Sequence, residues 1–186
     1  AIVGLGWDGA VAQGSSPDTA TAAAGRNVYL AGGQVRPSGP IAGDFVAIGG
    51  RVIIDQPVNG DAMVAGGAVD LRAPLGDDLR AVGGDITVDA SVGGEVFAAG
   101  GSVTLARGAR VERAATLYGG SVRVDGAIAG ALTSRGQRIA INGEVAGDVD
   151  LAGEQIALGP GARIGGKLRY ASPHGLVHSE GATVAG

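Results

Sequence analysis

Apolar residues recur along this chain with a period set by pairs of small steps. Phe45, Ala47, Val52, Ile54 and Val58 are followed by Ala62, Val64, Val69, Leu71 and Leu75, then by Leu79, Ala81, Ile86, Val88 and Val92. The series continues through Val96, Ala98, Val103, Leu105, Val111; Ala115, Leu117, Val122, Val124, Ile128; Leu132, Ser134, Ile139, Ile141, Val145; and Val149, Leu151, Ile156, Leu158, Ile164. Within a standard unit the steps are 2, 5, 2, 4 and 4. A step of 2 is the strand period, which returns a side chain to the same face. Each unit therefore predicts three short strands separated by three bends, all turning their apolar side chains to one interior.

The bends repeat with the strands. Glycine-led corners begin at Gly32, Gly49, Gly66, Gly83, Gly100, Gly119, Gly136 and Gly153, spaced 17 residues apart except for one interval of 19. Six of the eight are Gly-Gly doublets. A phosphate-cradling loop occurs once per site and leads into a helix, whereas these recur and no helical periodicity follows any of them. They are corners, where glycine is expected to supply unusual backbone angles and close approach between neighbouring turns of chain. Both extra residue pairs fall at another bend, "ARGAR" at 106–110 and "GPGAR" at 159–163, as expected where insertions leave stacked strands in register. Pro57 and Pro74 sit at this bend too, where a missing N–H does least harm.

The predicted fold is all-β: a three-sided parallel β-helix (solenoid) of about nine coils of 17–19 residues. The steps do not match the even hexads of left-handed β-helices, which favours a right-handed coil. Residues 1–24 read as an N-terminal extension and 25–186 as the β-helix domain. One coil buries too little to offset the cost of ordering it, so stability must come from stacking and each end of the rod presents open strand edges. The first coil carries Pro37 at an otherwise aliphatic position, and "SSPDTATAAA" before it is placed to lie across that end as a loose cap. The last coil loses the register after Tyr170 and has no Gly-Gly corner. End-to-end self-association through Val28, Tyr29 and Leu30 at one end and Leu168 and Tyr170 at the other is the expected consequence.

Composition narrows the choice of role. The chain has 186 residues, 37 of them glycine, with aromatics at only 3%, so its core is built from many small aliphatic side chains. A net charge of −4 gives no positive field for tracking nucleic acid. There is no cysteine, hence no disulfide framework or thiolate metal site. No apolar run approaches the length needed to span a bilayer. The opening "AIVGLGW" followed by Ala10-Val11-Ala12 and Gln13 is similar to the end of a secretory signal with a small-x-small cleavage site; a plain N-terminal extension is the alternative.

The unit "GDFVAIGGRVIIDQPVNG" (43–60), repeated as "GDAMVAGGAVDLRAPLG" (60–76) and "GEVFAAGGSVTLARGARVE" (94–112) and closing with "GPGARIGG" (159–166), resembles the bactofilins, bacterial polymer-forming cytoskeletal proteins, and most of all their exported or membrane-linked relatives. The resemblance covers residues 25–170. It implies a right-handed three-sided β-helix that polymerises through terminal coils without nucleotide, a homopolymer acting as a scaffold at the membrane or cell wall, and no catalytic residues. The richer Gly-Gly corners and the signal-like opening depart from a cytoplasmic cytoskeletal role. They place the expected location in the cell envelope, exported, periplasmic or membrane-associated, with the cytoplasmic face of the membrane as the alternative.

Candidate chemistry is sparse. Gly4-Leu5-Gly6-Trp7-Asp8-Gly9 matches a dinucleotide fingerprint, but Gly, Ser-Ser and Pro stand where its helix should run. His174 and His178 are the only histidines, and in a β-helix they raise two ideas: a metal pair, or the histidine of an acyltransferase. Asp44, Asp61, Asp78, Glu95 and Asp148 recur at one corner, where Ca²⁺ would relieve repulsion between stacked carboxylates; a hydrated acidic corner is the simpler reading. The expectation is a non-enzymatic protein with no catalytic, cofactor or metal residues, its partners being further copies of itself. An exported ligand- or glycan-binding module is the alternative, and an acyltransferase a more distant one.

Overall fold

The computed structural model describes Gly9–Val11, Thr19–Ala20 and residues 26–186. The chain is all-β, with no helix among the described residues, and its parallel strands stack as a solenoid of about nine turns. We number the coils 1 (27–43), 2 (44–60), 3 (61–77), 4 (78–94), 5 (95–113), 6 (114–130), 7 (131–147), 8 (148–166) and 9 (167–186). Every one of the apolar-repeat positions from Phe45 to Ile164 is buried, Ser134 included. One inward column runs Val28, Phe45, Ala62, Leu79, Val96, Ala115, Leu132, Val149, each the register partner of the next. The core is thus a stack of like upon like, and Ser134, its one buried polar side chain among the described residues, has a hydroxyl without a hydrogen-bond partner.

The strands differ from the expected three per coil. Phe45–Ile54 is a single ten-residue strand whose ladder continues across Gly49–Gly50, and Gly49 itself pairs with Gly32 and Gly66. The same holds in coils 3 to 8, so two sides of the rod belong to one 12-stranded sheet folded lengthwise along the glycine column. The third side is narrow. It consists of single bridges Ile41–Val58–Leu75–Val92 and then two-residue strands from Ser91–Val92 to Thr183–Val184.

The reason for glycine at the corner also needs correction. None of the doublets lies in the left-handed region; among described residues only Gly175 (φ 77°) and Gly181 (φ 95°) do. Proximity is what excludes a side chain. A Cβ on Gly83 would stand 2.3 Å from the carbonyl oxygen of Gly66, and one on Gly136 2.2 Å from that of Gly119. At the fold line each coil rests directly on the backbone of the one before.

Coil 9 regains the register that the sequence reading lost after Tyr170. Leu168–Ala171 pairs with Val149–Ala152, Leu176–His178 pairs with Ile156–Leu158, and Thr183–Val184 with Arg163–Ile164. Ser172-Pro173-His174-Gly175 replaces the glycine corner with one extra residue, which the positive φ of Gly175 accommodates. A third two-residue insertion, Glu180-Gly181, matches those at Arg107-Gly108 and Pro160-Gly161. Each closes a turn (Ala109 N–H to Ala106 O, 2.9 Å; Ala162 to Gly159, 3.0 Å; Ala182 to Ser179, 3.2 Å) that tucks its alanine inside.

At the other end, Gly9–Val11 and Thr19–Ala20 pair in parallel with Asn27–Val35, so part of the 1–24 extension adds a rung to the sheet. The rest of the dinucleotide-like motif, the remainder of the small-x-small site, and most of the cap assigned to 15–24 lie outside the described residues.

Candidate functional site

The expected self-association residues fall into two situations. Val28 and Leu30 are buried in the core, with Gly9–Val11 paired along the outer edge of their strand; Tyr29 points outward and is exposed. Leu168 and Tyr170 occupy inward positions in coil 9, in register with buried Val149 and Leu151, yet Leu168 is half-buried and Tyr170 is 48% exposed. Leu176, His178 and Val184 complete that end, in register with Ile156, Leu158 and Ile164. In every earlier coil the N–H at the Leu168 position donates to a carbonyl of the following coil, at 2.8–3.0 Å from Val28 to Val149. Leu168 has no such coil beyond it among the described residues. Coil 9 is the last described coil, so its row of edge donors and acceptors and its end of the apolar core have no partner coil among the described residues.

The acidic corner does structural work. Asp61 N–H donates to Asp44 Oδ1 (3.0 Å), Asp78 N–H to Asp61 Oδ1 (3.0 Å), Glu95 N–H to Asp78 Oδ1 (2.8 Å) and Lys167 N–H to Asp148 Oδ1 (2.8 Å). Asn27 begins the ladder with the same bond to Asp44 N–H (3.0 Å). Each side chain lies beneath the backbone of the next coil. A Cβ on Gly60 would come within 2.2 Å of Asp44 Oδ1, hence the recurring Gly-Asp pair. This differs from a merely hydrated corner: one carboxylate oxygen is a fixed acceptor for a backbone donor. Asp61, Asp77 and Asp78 gather ligand-type oxygens within 4.8 Å of one another, but Asp61 and Asp78 each already hold an N–H and Asp78 also pairs with Arg80 (3.3 Å).

Other ion pairs lie on the second side of the rod and at its rim, apart from Arg135–Asp150 (3.2 Å) on the first side. Arg51 and Arg72 share Asp70 (3.2 and 3.4 Å), and Arg36 pairs with Asp55. The hydrogen bond that Arg36 donates to Asp55, then the charge of that carboxylate, raise the Arg36 pKa above an already high value, so the group stays cationic and provides no switch. These guanidiniums are more than half exposed, and such pairs contribute little.

The outer surface of the first side carries a feature the repeat analysis passed over. Tyr29, Ile48, Met63, Val82, Phe97 and Tyr118 are all large, apolar and 38–62% exposed, and they occupy its two outward columns in coils 1 to 6. Phe97 and Tyr118 meet with ring centroids 5.9 Å apart. The signal was present in the sequence. In coils 2, 3 and 5 the first half of the long strand reads as an unbroken apolar run ("FVAI", "AMVA", "VFAA"), interrupted by Arg80 in coil 4 and Thr116 in coil 6, while second halves such as "GDITV" and "GSVTL" alternate. Unbroken runs are the mark of strands covered on both faces. In coils 7 to 9 the same columns turn to Arg135, Asp150 and Arg169.

The two histidines are not brought together as a ligand pair. His178 sits in an inward column above Leu158, whereas His174 stands at the corner and lines a groove on the second side. Its Nδ1 lies 3.0 Å from the carbonyl oxygen of Glu154, which also accepts from Ser172 Oγ (2.9 Å). A carbonyl only accepts, so this contact places the proton on Nδ1 and leaves Nε2 for other partners. The groove has a volume of about 590 Å³ and extends over coils 6 to 9. No helix of the described residues is long and apolar enough to cross a membrane. Comparison with family models, with curated proteins and with solved structures finds no match to this chain.

Proposed function

We propose that this chain is a non-enzymatic structural scaffold of the bacterial cell envelope that assembles end to end through its terminal coils. The observation that carries the reading is the edge of coil 9, which has no partner coil among the described residues. There Leu168, Tyr170 and Leu176 continue columns that are buried in coil 8, and the Leu168 N–H occupies a position that donates to a following coil everywhere else. A surface that combines strand-edge hydrogen bonding with an uncovered apolar core is satisfied by another edge of the same rung geometry, which a second copy supplies. The likeness of the coil pattern to the bactofilins supports the same role, as does the use of Asp44, Asp61, Asp78 and Asp148 as acceptors for backbone N–H groups that tie coil to coil. The apolar stripe on the first side, interrupted only at Arg80 and Thr116 between coils 1 and 6, is consistent with a rod that lies against another envelope component.

Electron microscopy and sedimentation of the purified chain test the reading. Filaments or end-to-end dimers are expected without nucleotide. Tyr170→Glu together with Leu176→Glu should return the protein to monomers while circular dichroism keeps its β signature. Monomers alone across the accessible concentration range would overturn it.

A further inference from the structure

The repeat that governs this rod is broken on one side of its C-terminal third, and a groove lies where it breaks. The Gly-Gly corner holds through coil 6, becomes Gly136-Gln137 and Gly153-Glu154 in coils 7 and 8, and is replaced by Ser172-Pro173-His174-Gly175 in coil 9. That last corner has a defined shape. Ser172 Oγ and His174 Nδ1 both engage the Glu154 carbonyl oxygen (2.9 and 3.0 Å), His174 N–H reaches Ser172 Oγ (3.3 Å), and Gly175 takes a positive φ. A departure from an otherwise strict local rule marks a place where something other than folding has set the residues.

The residues facing this groove differ from their counterparts in coils 3 to 5 of the same side; in coil 2 the column carries Arg51, which is paired with Asp70. One outward column runs Ser121, Arg138, Gln155 on successive coils, and the next runs Arg123, Ala140, Ala157, Val177. In coils 3 to 5 the same columns hold Ala68, Asp85, Ser102 and Asp70, Thr87, Thr104, with acids and no base. In the groove the sign reverses. Arg123 and Arg138 stand on the wall and His174 closes the far end, while the methyl groups of Ala140 and Ala157 leave the floor low between them. The acids nearby are Asp125, 3.8 Å from Arg123, and the exposed Glu154 at the corner. Among the described residues Arg138 makes no ion pair.

We infer that this groove is a binding site for an extended, carboxylate-bearing ligand, of the class of a short acidic oligosaccharide. Its volume of about 590 Å³ lies within the range of small-molecule sites. Four rungs span roughly 14 Å at ~4.8 Å each, the reach of a chain of a few sugar rings and far more than a single small anion fills. The polar groups are weighted toward donors: two guanidiniums, the Gln155 amide and the Ser121 hydroxyl, a set matched to carboxylate and hydroxyl oxygens. His174 adds Nε2, an acceptor for a ligand hydroxyl when the ring is neutral. The inference does not rest on end-to-end assembly, because the groove faces sideways from the rod.

Titration calorimetry with trigalacturonate, a neutral galactose trisaccharide of equal length, and inorganic phosphate tests it. Trigalacturonate should bind, more weakly as salt rises, and Arg138→Gln and Arg123→Gln should each weaken it at least ~10-fold, the loss expected for one charge-assisted contact. Both side chains are exposed, so the melting temperature should stay unchanged in either variant. The neutral trisaccharide should bind at least ~10-fold more weakly on the same argument. No binding of trigalacturonate, binding unaffected by Arg138→Gln, or equal binding of the neutral sugar overturns the inference. Phosphate binding as tightly as trigalacturonate overturns it too, by reducing the groove to a simple anion contact. Oligomeric state recorded alongside keeps this result separate from that of the assembly experiment.

Discussion

Gly136 and Gly39 are both glycines outside the left-handed region, yet the structure asks opposite things of them. A Cβ on Gly136 would sit 2.2 Å from the Gly119 carbonyl oxygen, a backbone atom held by its own ladder, whereas nothing lies within 4 Å of one on Gly39. Gly136→Ala must therefore push two coils apart, and a loss of about 2–4 kcal/mol is expected, in the range of overpacked or strained sites. Gly39→Ala only reduces the freedom of the unfolded chain and should gain about 0.4–1 kcal/mol. Gly101, where the nearest atom would be 3.1 Å away, should fall between them. Denaturant melts of the three variants check the order, and equal effects at Gly136 and Gly39 would refute close approach as the cause. The spacing of the doublets was plain in the sequence but the reason was not. Glycine serves unusual angles and tight contacts alike, and only coordinates show which one is in force.

At the scale of the coil, the recurring Asp is the element that joins one Gly-Asp corner to the next. Asp61 both receives and gives: its N–H reaches Asp44 Oδ1, and its own Oδ1 takes the N–H of Asp78. Removing the acceptor leaves a part-buried donor without a partner, so Asp61→Ala should cost about 1–3 kcal/mol. Asp61→Asn keeps an acceptor oxygen at this place and should cost far less, since the Asn27 amide oxygen already fills this role beneath Asp44. The charge neighbours sharpen the comparison: with Asp77 and Asp78 close by, the Asn variant also removes repulsion. A melting series in which Asn is as damaging as Ala would show that the charge, and not the hydrogen bond, is the stabilising feature. The periodicity of inward positions predicted this element well, from Phe45 to Ile164 without an error of register. It failed in coil 9 because one extra residue at Ser172–Gly175 shifts the phase, which the recurrence "GARV", "GARI", "GATV" restores. The apolar stripe and the groove went unread for a related reason. Both lie in the outward columns, whose residues are not held to the inward apolar period.

On the scale of the whole rod, each coil touches only the coils beside it, so stability is a sum of neighbour terms and opening starts at the ends. Coils 4 to 6 have two or more complete coils on either side. Coil 9 has one neighbour, and its Leu168, Tyr170, Leu176 and Val184 are incompletely buried. Amide exchange should therefore be slowest in Leu79–Val88, Val96–Leu105 and Ala115–Val124 and should quicken toward Leu168–Ala171. The Leu168 amide is the discriminating probe. In Val28, Phe45 and every later coil this N–H is bonded to the next coil, so its protection in coil 9 depends on something docking there. In dilute protein it should exchange at close to the rate of a free amide; as concentration rises it should slow, in step with the appearance of larger species by sedimentation. Coil 5, bonded on both sides within the chain, should show no such dependence. Protection at Leu168 that is already complete in the dilute monomer would mean that the end is closed internally, and a scaffold growing from that edge would have no surface on which to grow.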